Sequence, residues 1–302
     1  MFDLITIGNI AADLYFDAEP LTHDKNRYNL AIGGKYFVDF FYSSVGGGAS
    51  NVAIGAKKLG LRTTACAFVG NNVFRSMILQ RFRKLKISTK LLLFSQTYSN
   101  ISIILRRKDG ERTIINYETP HEHLAEEAYV YRKLKKTRSV YFGNLPDVSL
   151  AERRKIIAML KRNNVFIFSN IGTKDCCRPK KYISELLDGV DILIVNTYEF
   201  SELVKIDRRR IDFRKNILNL LPVLKDKILI VTDAGGGSYG YNKDAVYYQK
   251  AISPRKIVDT TGAGDAYTAG FISRFLKTED VKSAMKSGSQ YAAKIIRKLG
   301  AN

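Results

Sequence analysis

Short apolar runs at 2–7, 63–69, 139–143, 165–168, 191–196 and 227–232 punctuate this chain, and segments of helical period fall between them. The runs have strand length and are rich in β-branched residues. The segments at 49–59, 73–85, 150–162, 179–187 and 213–220 space their apolar residues as helices do, and the first stops at Gly60. From 264 to 299 the chain reads as almost wholly helical. Alternation of this kind predicts an α/β fold with a doubly wound, mostly parallel sheet. Two stretches, 36–43 and 98–117, have period-two character instead. The second carries the hairpin signal Lys108-Asp109-Gly110 between 101–105 and 113–117. These stretches predict a small second β-sheet, discontinuous in sequence, drawn from about 14–45 and 97–118 of a single domain spanning 1–302.

The net charge is +20, from 49 Lys and Arg against 29 Asp and Glu. Its clusters at 132–138, 153–155, 178–181 and 208–210 are short and dispersed over helix faces and ends. With no zinc-finger spacing and no RNP-like aromatic run, a solvated basic surface is favoured over a nucleic-acid partner. Such a surface also suits steering of an anionic substrate. Cys66, Cys176 and Cys177 show no paired spacing, so free thiols and a cytoplasmic location are expected. No apolar run approaches ~18 residues, so no membrane span is expected. The opening Met1-Phe2-Asp3-Leu4-Ile5 lacks the pattern of a secretory leader. His23, His121 and His123 have no metal-binding spacing.

The most informative segment is Asp259-Thr260-Thr261-Gly262-Ala263-Gly264-Asp265-Ala266-Tyr267, which follows Ile257-Val258 and opens the helical terminal region. Gly262 and Gly264 allow a tight turn and a close backbone approach. The helix behind them points free N–H groups and a positive dipole end at whatever sits there, which suits a phosphate. Asp265 in the first turn satisfies that dipole, or takes a proton from an attacking hydroxyl. Gly46-Gly47-Gly48-Ala49-Ser50-Asn51 is a second Gly-rich entry to a helix, and no Gly-Lys-Ser/Thr follows to make it a Walker loop. Asn196-Thr197-Tyr198-Glu199 reads alone as a helix cap with a first-turn acid.

The block from Asp259 to Asp265, followed by Ala269-Gly270-Phe271, resembles the signature of the ribokinase-like (PfkB) carbohydrate kinases, and further landmarks match along nearly the whole chain. The resemblance implies a kinase that moves the γ-phosphoryl group of ATP to a hydroxyl of a sugar or sugar-like molecule, with a nucleoside as the alternative acceptor. It implies Asp265 as general base and Gly262, Ala263 and Gly264 as the anion hole. Gly46, Gly47 and Asn51 match the family's sugar-binding Gly-Gly-x-x-x-Asn, and Asp13 matches an acid after the first strand. Asn144 is a further candidate for acceptor contact. Asn196 and Glu199 match Asn-x-x-Glu, which organises Mg²⁺ through water. Thr232, Gly235 and Gly237, with Thr261, fall to the nucleotide, although Ala234 replaces the first glycine of Thr-x-Gly-x-x-Gly and Gly235 is the expected substitute for its turn. Asp259 is the candidate for a monovalent cation such as K⁺. The small sheet is expected to act as a lid. The stripe Tyr36, Val38, Phe40, Tyr42, with Phe37 and Phe41 opposite, predicts a strand covered on both faces and a homodimer joined through the lids.

Overall fold

A computed structural model gives the structure of the protein, described for all residues except 18–20, 22, 25–26, 108–110, 122, 125–127 and 146. The elements in chain order are β1 (Leu4–Ile7), β2 (Ala11–Asp17), the short β3 (His23–Asp24) and β4 (Arg27–Tyr28), β5 (Phe41–Gly46), α1 (Gly48–Lys58), β6 (Thr63–Gly70), α2 (Arg75–Lys84), β7 (Leu92–Ser95), β8 (Asn100–Arg106) and β9 (Arg112–Glu118). There follow α3 (Ala128–Leu134), β10 (Ser139–Phe142), α4 (Leu150–Arg162), β11 (Phe166–Ser169), α5 (Gly172–Cys176), α6 (Lys180–Leu187), β12 (Ile192–Asn196), α7 (Thr197–Val204), β13 (Ile228–Thr232), β14 (Ser238–Tyr241), β15 (Val246–Gln249), α8 (Ala263–Thr278) and α9 (Val281–Ile295).

Nine strands form one sheet in the order β15-β14-β13-β12-β11-β10-β1-β6-β7. Pairing is parallel from β13 to β7 and antiparallel at β14 and β15. Its strands are apolar on both faces because helices cover both. Ile5, Ile7, Val140, Phe142, Leu193 and Val195 pack against α4, α6 and α7. Their neighbours in sequence, Leu4, Tyr141, Ile192 and Ile194, point the other way, against α1, α8 and α9. The chain winds outward in opposite directions from β1 and β10, so their carboxyl ends form a switch point, where open α/β sheets take ligands. Gly8-Asn9 and Gly143-Asn144 lie just beyond those two strand ends.

The small sheet has the order β5-β2-β8-β9. It leaves the large one directly after β1. The pairings Asp13↔Ser44, Asp13↔Ser102 and Ser102↔Asn116 set these side chains on one face, with Tyr15, Tyr42, Ile104, Ile114, Arg106 and Arg112. The other face carries Leu14, Phe16, Phe41, Ile103, Leu105, Ile115 and Tyr117.

Two expectations are corrected, and a third is refined. The strand expected at 36–43 begins only at Phe41, because its partner β2 pairs no further than Phe16↔Phe41. Upstream, the backbone N–H of Ala31 donates to the Tyr36 hydroxyl, and Gly34 N–H to the Ala31 carbonyl, which folds that segment on itself. The helix expected at 213–220 is a single 3₁₀ turn, Leu218–Leu220. Asp212 and Asn216 accept N–H groups two residues ahead, a local alternative to helix, and Pro222 follows. The helical stretch at 264–299 breaks at Glu279, in the left-handed region at φ +53°, and Asp280 caps α9 through Ser283 N–H. Strands β8 and β9 pair as far as Arg106↔Arg112, and the turn signal at 108–110 lies outside the described residues.

Candidate active site

Helix α8 begins behind Gly262, whose φ of +73° is the left-handed conformation a glycine tolerates. The Asp259 carboxylate braces this entry. Its Oδ1 accepts Thr261 N–H at 2.8 Å and its Oδ2 accepts Gly300 N–H at 3.0 Å, so both loops hang on one buried acid. Ala263 N–H, expected to face an anion, instead donates to the Thr260 carbonyl at 3.2 Å. Gly264 and Asp265 follow in the first turn, and their N–H groups have no protein acceptor among the described residues. Among the described residues, no atom outside its own turn and chain neighbours lies within 4 Å of the place a Gly264 side chain would occupy. Thr261 Oγ1 is buried and has no hydrogen-bond partner among the described residues. Free donors, an orphaned hydroxyl and open space at a helix N-terminus suit an anionic ligand.

The Gly46–Asn51 loop meets this entry directly. Asn9 shapes it: its Oδ1 accepts Gly48 N–H at 2.9 Å and its carbonyl accepts Ala49 N–H at 3.1 Å. Gly47 sits at φ +90°, with Asn9 O 2.6 Å from where a Cβ would stand. On the first turns of α1, Asn51 donates from Nδ2 to Asp265 Oδ2 at 2.8 Å. Asp265 Oδ1 lies 3.6 Å from the Cβ position of Gly48. Two motifs separated by 214 residues thus share one carboxylate. Burial pushes the Asp265 carboxyl up to about 6, with the Asn51 amide opposing and the Glu199 charge adding to the rise. Asp13, on β2 rather than in a loop, is buried with its carboxyl against Gly46. Burial raises it to about 7; the Ser102 hydroxyl opposes this, and the charges of Asp265 and Asp259 add to it.

Asn144, Asn170 and Asn196 stand at the carboxyl ends of neighbouring strands β10, β11 and β12. Asn144 Oδ1 is buried without a partner among the described residues. Asn196 and Glu199 form a capping box: Asn196 Oδ1 accepts Tyr198 and Glu199 N–H, and Glu199 Oε2 accepts Asn196 N–H at 2.9 Å. Asn170 Nδ2 reaches the same Oε2 at 3.4 Å. Burial raises the Glu199 carboxyl, against these hydrogen bonds. Beyond β13, Asp233 to Gly237 form a turn next to Thr232. Ala234 itself, not Gly235, takes the left-handed conformation, at φ +43°. Gly235 instead faces open space. An alanine there is strained, so Ala234→Gly is expected to stabilise the chain by about 0.5–1 kcal/mol, after allowing for the entropy glycine loses on folding. Urea midpoints of the two proteins check this; an unchanged or lower midpoint counts against a strained turn.

Residues missed in the sequence complete the site. Arg112, at the start of β9 in the small sheet, donates from Nη1 to Thr260 Oγ1 in the glycine-rich loop, and its buried Nε has no hydrogen-bond partner among the described residues. It was legible only as a lone arginine beside a hairpin turn; the register Arg106↔Arg112 puts it on the Asp13 face. Asn9, Asn170 and Asn302 carry no local signal of their contacts, whose partners lie far away in sequence.

The model of the family described as "pfkB family carbohydrate kinase" matches residues 3–302. The chain belongs to the PfkB family. It is 25% identical over 306 residues to a nucleoside kinase of Methanocaldococcus jannaschii, covering 99% of this chain and 92% of that protein. A 5-dehydro-2-deoxygluconokinase of Listeria innocua is 22% identical over 98% of this chain and 90% of its own length. The structure of Arabidopsis thaliana ribokinase complexed with ribose and ATP superimposes with a TM-score of 0.80 at 19% identity, covering 99% of this chain and 94% of that one, which shows the shared fold. This PfkB protein is accordingly a phosphotransferase with an alcohol acceptor, of a family that uses ATP. Among the described residues no helix is long and apolar enough to cross a membrane.

Proposed function

We propose that the protein transfers the γ-phosphoryl group of ATP to a hydroxyl of a sugar or nucleoside, with Asp265 as the general base. The observation that carries this reading is the 2.8 Å hydrogen bond from Asn51 to Asp265, which joins the acceptor motif to the anion-binding helix entry. Asp13 and Asn51 hold the acceptor hydroxyls. Asp265 takes the proton of the attacking hydroxyl, and its raised pKa fits that task better than an ordinary carboxylate. The N–H groups of Gly264 and Asp265 face the charge that develops on the transferred group. Ala263 supports them by closing the turn onto Thr260. ATP, when bound, supplies the phosphoryl group. Gly235, Gly237, Thr232 and Thr261 are its candidate contacts, and the open space beside Gly235 and Gly264 fits that assignment. Arg112 ties the small sheet to the glycine-rich loop, so the sheet works as a lid whose closure excludes water.

Mg²⁺ neutralises phosphate charge in such chemistry. Glu199 Oε2 is committed to the cap, and among the described residues no three His, Cys, Asp or Glu are placed to hold a metal. These residues fit an ion held at one remove, through water. Asp259 has both oxygens on backbone N–H groups, which supports a bracing role, and no step is assigned to a monovalent cation.

A nucleoside acceptor is favoured by one feature: the exposed ring of Tyr42 lies on the Asp13 face, 5.8 Å from that of the buried Tyr15, an aromatic contact for a base. Turnover with ATP across a panel of sugars and nucleosides decides between the two. Absence of transfer to every alcohol, with steeply salt-dependent RNA binding, would overturn the kinase reading.

The far face of the lid supports a homodimer. Phe41, Ile115 and Tyr117 are exposed there, and Phe16 and Phe41 rings stand 5.3 Å apart. A two-fold clasp would cover this patch on both chains. Phe41→Asp is expected to convert dimer to monomer in analytical ultracentrifugation at micromolar concentration and to raise the acceptor KM. A monomeric parent protein under those conditions removes the clasp.

A further inference from the structure

Beyond the acceptor and anion motifs, a line of hydrogen bonds runs from the surface of α2 to the base. Arg81 donates to Asn302 Oδ1 from Nη2 at 2.7 Å and from Nε at 3.2 Å. Asn302 Nδ2 donates to the Val45 carbonyl at 2.6 Å and to Asn51 Oδ1 at 3.0 Å. Asn51 Nδ2 donates in turn to Asp265 Oδ2 at 2.8 Å. We infer that Arg81 and Asn302 are positioning residues that lock the Asn51 amide with its NH₂ group, not its carbonyl, toward Asp265.

The logic is one of donors and acceptors. A guanidinium only donates and a backbone carbonyl only accepts. Turning the Asn302 amide over would set its NH₂ against Arg81 and its oxygen against Val45 O, so both ends fix one orientation. Asn51 then has no choice either: its oxygen must meet the Asn302 NH₂. Without this constraint, an amide beside a carboxylate and an acceptor hydroxyl is free to rotate, and the flipped form sets two oxygens together. Val45 precedes Gly46, so the same bond braces the acceptor loop. The groups that face Asp265 from other elements are Asp13 on β2, Tyr141 on β10 and Glu199 on α7. None of them donates to Asp265 Oδ2 among the described residues; the hydrogen bond to that oxygen comes from Asn51.

The inference rests on the kinase reading for its consequence but has a readout outside catalysis. Carbon-13 NMR of aspartate carboxyls, with the Asp265 signal assigned by its loss in Asp265→Asn, follows titration of this group directly. Asn302→Ala and Arg81→Met are each expected to raise its midpoint by about 0.5–1 unit, the scale of one hydrogen bond. The acid limb of kcat/KM should move by the same amount. In an Asn51→Ala background both shifts should vanish, whereas a purely charge-based effect of Arg81 would persist there. An unmoved Asp265 midpoint in both single variants, or shifts that survive in the Asn51→Ala background, overturns the relay. If the midpoint moves as expected but Asp265→Asn keeps full activity, the relay stands and the base assignment fails.

Discussion

Asp265→Asn is expected to lower kcat by about 10²–10⁴ while leaving the fold and ATP affinity nearly intact. The amide keeps an oxygen for Asn51 Nδ2, so the contact at 2.8 Å survives and only the proton acceptor is lost. In the parent protein the acid limb of kcat/KM should fall near pH 6, where Asp265 titrates. The direction is fixed by the chemistry. A base must be unprotonated, so activity is full above that midpoint and falls as pH drops through it. The limb attributable to Asp265 should be missing from whatever activity the variant retains. A variant with near-normal kcat at pH 8 sinks the assignment.

The sequence carried the parts of this molecule whose physics is local. Apolar β-branched runs located most strands of the large sheet and period-3.6 patterns most of the helices around it, because helices cover both of its faces. The residues from Gly262 to Asp265 were readable because a glycine turn before a long helix is a local device. What failed to show was set by distant partners. Nothing near 36–43 says that the pairing with β2 ends at Phe16↔Phe41, so the strand was begun too early. The short polar-capped turns around Asp212 and Asn216 defeated a helical spacing at 213–220. Ala234 was visible as a departure, but that it bends in glycine's place depends on the closed turn, in which Asp233 N–H bonds Gly237 O at 2.8 Å. Arg112 and Asn302 contribute through contacts 148 and 251 residues away, which no spacing rule reaches.

Gly46→Ala is expected to raise the acceptor KM by about 10²-fold or more without touching ATP binding, an effect larger than its single methyl suggests. A Cβ on Gly46 would lie 1.9 Å from Asp13 Oδ2 and 2.2 Å from its Cγ. Gly46 is outside the left-handed region, so the backbone accepts alanine, and the Asp13 carboxyl must yield instead. Asp13→Ala should weaken the acceptor through the loss of hydrogen bonds worth ~1–3 kcal/mol when buried. Adding Gly46→Ala to Asp13→Ala should then cost little more, since the clashing group is gone. Stability should move the other way. Asp13 titrates near 7 in the folded chain against an ordinary value of 3.8, so the folded state holds its proton more tightly than the unfolded state does. That difference costs stability progressively as pH rises from about 4 to about 7, and in full above. Asp13→Ala should therefore melt higher than the parent protein at pH 8, with the gain shrinking toward pH 4. Equal melting temperatures across that range, or a Gly46→Ala protein with a normal acceptor KM, would show that the Asp13 carboxyl is not held against Gly46 in the way the acceptor site requires.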